Sequence, residues 1–179
     1  MISRNQVSVP EPYLTYLNKA GADELPKALT ESTKRFKKLV ADLPKKKIDY
    51  AYAEGKWTIK QLLQHIIDAE RVFAFRAVWF SRNDPSPQPG FDENNWAAST
   101  SVGDRKWKVM IQEFLLLREA NALFFESLSD EQLQRTGTSN NVAVSTVGFG
   151  FISAGHLNHH IDIIEERYLN KQSKKNKVV

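Results

Sequence analysis

The chain has 179 residues, the length of one domain, and its 41% hydrophobic fraction is enough for a core without staples. It contains no cysteine, which excludes disulfides, thiolate metal sites and a cysteine nucleophile. The formal net charge of +4 gathers in Lys45–Lys47 and in a tail carrying Lys171, Lys174, Lys175 and Lys177, a pattern that fits a solubilising tail better than a nucleic-acid surface.

Eight glycines and seven prolines favour long helices over a turn-rich β fold. Residues 1–22 carry proline and glycine breaks and are expected to form an extended lead-in. Residues 25–43 bear apolar side chains at Leu25, Ala28, Leu29, Phe36, Leu39 and Val40, which is helical spacing. A second helix is expected from a Thr58 N-cap to about residue 79. Gln61 completes a capping box there, and Trp57 and Leu62 make a hydrophobic staple. Pro85, Pro87 and Pro89 follow it, opening an irregular connection over residues 81–102 that is long enough to cross the bundle. Within this connection Trp96 is expected to anchor the loop in the core. A third helix is predicted over 103–128, then a short turn capped by Ser129, a polar loop over 136–141 and a last helix over 145–169. These elements make an all-α fold, a four-helix bundle in up-down-down-up order, as a domain over residues 23–170 with a basic tail over 171–179. No apolar leader is seen and the apolar runs are too short for a membrane span, so the expectation is a cytoplasmic protein with no membrane and no nucleic-acid partner.

Three of the four histidines lie in His156-Leu-Asn-His-His160, and the fourth, His65, is in the middle of the second helix. His156 and His160 are four residues apart, on one helix face and inside its apolar stripe; His159 falls at the stripe's edge. His65 faces inward between Leu62, Ile66 and Ala69. The bundle core is where facing helices supply metal ligands, so His65, His156 and His160 are the candidate ligands of one divalent ion in an open, catalytic type of site. Hydrogen-bonded core histidines are the bland alternative, but burying three without a metal demands three sets of partners. A zincin protease is excluded, because Leu157 stands where its general-base glutamate belongs. Glu70 and Asp162 lie on the right helices, with a phase suited to the surface or to contacts with histidine nitrogens.

The segments Trp57-Thr-Ile-Lys-Gln-Leu-Leu-Gln-His65, Pro89-Gly-Phe-Asp-Glu-Asn-Asn-Trp96 and Gly155-His-Leu-Asn-His-His160 resemble the DinB-like superfamily, nearest its YfiT-like branch of metal-dependent hydrolases. The resemblance covers residues 25–170. It implies a metal, usually nickel or zinc, on His65, His156 and His160, and often a homodimer. Some members of this family transfer bacillithiol, mycothiol or glutathione to an electrophile. The leading expectation is therefore a metal-dependent enzyme that transfers a low-molecular-weight thiol to a small-molecule electrophile. Metal-water hydrolysis is one alternative, and a non-enzymatic, metal-binding, dimerising stress protein is another. In the thiol reading His159 assists proton transfer. Asp92 and Glu93 orient the cosubstrate if the long loop folds over the site; otherwise they form a solvated helix start.

Overall fold

The structure, a computed structural model, describes residues 2–170. The expected basic tail, 171–179, lies outside the described residues. The helices are α1 (Glu11–Asn18), α2 (Leu25–Asp42), α3 (Ile59–Ser81), α4 (Glu93–Ser99), α5 (Trp107–Glu126), α6 (Asp130–Gln134) and α7 (Thr146–Ile163), and α7 continues as a π-helical turn, Ile164–Tyr168.

Four of these, α2, α3, α5 and α7, form the bundle. Residue pairs give their directions. Leu25 packs on Gly150 and Arg35 bonds Asp162, so α2 runs parallel to α7. Phe80 meets Phe149 while His65 meets His160, so α3 is antiparallel to α7. Ser32 meets Arg118 while Phe36 meets Phe114, so α2 and α5 are antiparallel. The order is up-down-down-up, and the connection over residues 82–106 makes the crossover that keeps α3 and α5 parallel.

The capping box at Thr58 is formed: its hydroxyl accepts from Gln61 N at 3.1 Å and Gln61 Oε1 accepts from Thr58 N at 2.8 Å. Helix α7 is buried on nearly every side, as a helix apolar all round must be, and packs against α1, α2 and α3. It is the element on which the site is built.

Three parts of the chain differ from expectation. The extended lead-in over 1–22 contains α1, whose Tyr13 and Leu17 are buried. Pro12 stands in the first turn of this helix, where a missing N–H breaks no hydrogen bond, so it starts the helix instead of interrupting it. The polar loop over 136–141 is a β-hairpin, β1 (Thr136–Ser139) antiparallel to β2 (Val142–Ser145), turned by Asn140 and Asn141 at φ 50° and 64°. Consecutive positive φ values define a type I′ turn, which asparagine tolerates better than most residues. The third helix begins at Trp107, later than expected, and α4 interrupts the long connection. Trp96 on α4 is 42% exposed and lies against Phe91, with ring centroids 4.5 Å apart, so it braces the loop from outside and not within the core.

Candidate metal centre

Helix α3 presents His65, and α7 presents His156 and His160 one turn apart. The antiparallel packing of α3 and α7 brings the three side chains to one point. His156 Nε2 stands 3.0 Å from His65 Nε2 and 3.0 Å from His160 Nε2. One ring nitrogen from each of the three lies within 4.8 Å of those of the other two. Ring packing fixes the rotamers: Phe73 meets the His156 ring edge-on at 5.5 Å, Tyr16 meets it at 5.1 Å, and Trp57 lies 5.1 Å from His65.

Burial makes all three imidazoles weak bases. It lowers the pKa of His65 to about 4, against a smaller upward pull from the Glu93 carboxylate and a further lowering by His159. His156 and His160 fall well below the ordinary histidine value, first through burial and then through the neighbouring histidines. The rings are neutral near pH 7, the state in which imidazole ligates metals.

Three neutral rings sharing one point through Nε2 suit a cation. Two donors on a common ion at tetrahedral angles stand about 3.3 Å apart, close to the 3.0 Å seen between these rings. Without a cation, His156 Nε2 has to serve both neighbours with either one proton or one lone pair. The donor set and spacing therefore fit a divalent ion. His160 Nδ1 is buried with no hydrogen-bond partner among the described residues, so on that side the ring is held by packing.

A cavity of about 400 Å³ opens beside the three rings. Tyr16, Trp57 and His159 wall it near the imidazoles; Tyr13, Arg76, Phe91 and Asn140 also line it. His159 is half-buried, with its ring 5.0 Å from that of His160 and its pKa lowered chiefly by burial. Of the adjacent pair Asp92 and Glu93, only Glu93 reaches the cavity. Its charge raises the pKa of Tyr16, after burial, as well as acting on His65. Asp92 caps α4, accepting from Asn94 N at 2.9 Å and Asn95 N at 3.0 Å, which turns it away from the site. Trp57 combines two roles: it packs against the core around Leu62, as a staple does, and its ring also lines the cavity.

Among the described residues neither Glu70 nor Asp162 hydrogen-bonds a histidine, although the Asp162 charge acts on His159. Glu70 is 2% exposed and ion-paired with Arg118 at 2.8 Å; Asp162 pairs with Lys19 and with Arg35. Sequence reasoning missed Tyr13, Tyr16, Arg76 and Asn140. The signals were Tyr13, Tyr16, Leu17 and Ala20 at helical spacing, and an arginine within the apolar face of Phe73, Ala77 and Phe80.

A four-helix bundle whose central helix pair gathers three imidazoles beside a cavity defines a class of helical proteins with a metal-type histidine cluster. Residues 28–164 match the model of the DinB superfamily, and the chain belongs to that family. A relative from Bacillus cereus, named "Putative metal-dependent hydrolase", is 27% identical over 154 residues, covering 81% of this chain and 82% of its own. A protein of the same name from Geobacillus thermodenitrificans is 29% identical over 118 residues, covering 65% of this chain and 61% of its own. The solved structure of YfiT from Bacillus subtilis, described as a probable metal-dependent hydrolase with an unusual four-helix bundle topology, shares the fold. Its TM-score is 0.72 at 19% identity, over 83% of this chain and 86% of that one.

Proposed function

We propose that this chain is a metal-dependent enzyme in which His65, His156 and His160 hold one divalent ion, nickel or zinc, and in which the reaction takes place in the adjoining cavity. The observation that carries this reading is the coincidence of the three-imidazole cluster with a lined cavity: a structural ion needs no such space. A divalent ion held this way supplies Lewis acidity, bringing a bound water or thiol toward ionisation near neutral pH.

Hydrolysis is the reaction the cavity supports best. Glu93 supplies a carboxylate to the cavity wall that would accept a proton from an attacking water, and Tyr16 and His159 offer a hydroxyl and an imidazole for orienting substrate and returning that proton. Transfer of a low-molecular-weight thiol is the second reading. The aromatic lining suits an electrophile, and the absence of cysteine from the chain means that the sulfur would have to arrive with a cosubstrate.

Metal analysis of the purified protein tests the centre. Stoichiometric metal is expected in the wild type and its loss in His160→Ala; equal metal in both rejects the ligand set. Glu93→Gln separates the reactions. It is expected to keep its metal and to lose hydrolytic turnover by roughly 100-fold, the ordinary contribution of a general base. If thiol transfer is the activity, the same variant keeps its rate to within a few fold.

A further inference from the structure

The two most deeply buried arginines of the bundle are treated differently. Arg118 is 3% exposed and faces the Glu70 carboxylate at 2.8 Å. Arg76, on α3, is also 3% exposed, yet among the described residues no carboxylate forms an ion pair with it. Its hydrogen bonds run to the Pro89 carbonyl at 2.6 Å and, at 3.5 Å, to the Tyr13 hydroxyl. A guanidinium has five N–H donors, so these two partners leave most of its capacity unused. Phe91 and Phe149 pack near it, each ring centroid 6.0 Å from the guanidinium carbon, and as apolar neighbours they do nothing to neutralise the charge. Buried charges are ordinarily paired, because desolvating one alone is costly. Arg76 lines the same cavity as the three histidines.

We propose that Arg76 is a substrate-anchoring residue, and that the substrate carries a carboxylate which completes this unpaired charge while its reacting group lies at the histidine cluster. This rests on the reading of the cavity as the reaction site. A carboxylate fits better than a phosphate, because a single cation offers one charge and a planar fork, and no second lysine or arginine among the described residues lines the cavity. The cavity is also polarised in the required sense. Glu93 acts on His65 and Tyr16, at the histidine end, and would repel an acid there. Arg76 follows His65 by three helical turns, about 16 Å along α3, and its side chain leans back toward the N-terminus. The two ends are therefore on the order of 10 Å apart, so the substrate is an elongated acid whose carboxylate lies well away from the bond that reacts.

The test uses 4-phenylbutyrate, its uncharged amide and 4-phenylbutyl phosphate, titrated calorimetrically into the full chain as purified and after chelator treatment. The acid is expected to bind roughly tenfold to a hundredfold more tightly than the amide, the usual range for hydrogen bonds to a charged group. Arg76→Gln, which keeps a donor for the Pro89 carbonyl but removes the charge, should abolish that preference with metal content unchanged. Arg76→Lys should retain part of it. His160→Ala should lose metal and keep the preference, so failure of the metal centre and failure of the anion seat give different results. Equal binding of acid and amide by the wild type, or a preference that survives in Arg76→Gln, overturns the proposal. Tighter binding of the phosphate overturns the assignment to carboxylates.

Discussion

Burial of His65 in the folded chain holds its pKa near 4, whereas an exposed imidazole in the unfolded chain titrates near its ordinary value of 6.5. Between these values the unfolded chain binds more protons, so stability is fully present above about pH 6.5 and is lost as the pH falls toward 4. The loss from His65 alone is on the order of 3 kcal/mol, and His156 and His160 act in the same direction. Metal-free protein is therefore expected to show a urea midpoint that falls steeply between pH 6.5 and 4.5. The dependence should be shallower in His65→Gln; a flat wild-type profile would contradict it. The histidine trio was legible in the sequence because helical phase puts 156 and 160 inside one apolar stripe. Which of Asp92 and Glu93 faces the cavity was not legible, because it depends on which residue caps α4, and both are adequate first-turn acids. Arg76 was missed for a related reason: an arginine in an apolar stripe is usually taken to reach the surface along its stem, and here loop residues Pro89 and Phe91 close over it.

At the scale of single elements, the docking of α1 on α7 completes the cavity wall, and it depends on Gly155. A Cβ built on Gly155 would lie 1.7 Å from the Tyr16 carbonyl oxygen, a backbone atom that cannot swing aside. Gly155→Ala is therefore expected to push α1 off α7, costing about 1–3 kcal/mol or somewhat more, and to move Tyr16 away from His156 and His159. A denaturant titration gives the cost, and Trp57 fluorescence on addition of metal reports whether the site has loosened; an unchanged midpoint would show that α1 does not need this close approach. Helices α2 and α3 could be read directly, since their apolar residues recur at three and four and Thr58 and Gln61 mark a start. The helix α1 is short, and its Pro10-Glu11-Pro12 segment looks like a break until tertiary packing of Tyr13 and Leu17 supplies the stability that eight residues cannot. The hairpin was hidden similarly: its four-residue strands carry little alternation, and only the Asn140-Asn141 pair signals the turn.

Across the whole molecule, two apolar clusters fill opposite ends of the bundle, one around Phe73, Phe80 and Phe149 and the other around Phe36, Leu63 and Phe114. A polar layer crosses between them and joins all four bundle helices. Arg118 of α5 donates to Glu70 of α3 at 2.8 Å, to Ser32 of α2 at 3.2 Å and to the Ser153 carbonyl of α7 at 3.2 Å. Asn121 occupies the second Glu70 oxygen at 2.9 Å. Ser153 lies one turn before His156, so the layer also fixes the height of α7 relative to α3 and with it the spacing of the histidines. Removing one partner leaves the other charge buried, so Arg118→Met alone should cost about 3–5 kcal/mol. That is a large part of the roughly 5–15 kcal/mol that holds such a domain together. Replacing both partners, Glu70→Leu with Arg118→Met, should restore most of the lost stability, since an apolar pair removes the desolvation cost along with the attraction. The two roles of the layer then separate in one set of urea titrations and metal assays. If it serves only stability, the double variant regains both its midpoint and its metal affinity. If it also sets the register of α7, the double variant regains its midpoint while binding metal more weakly than the wild type, and this second outcome is expected because Ser153 keeps no partner that reaches across from α5.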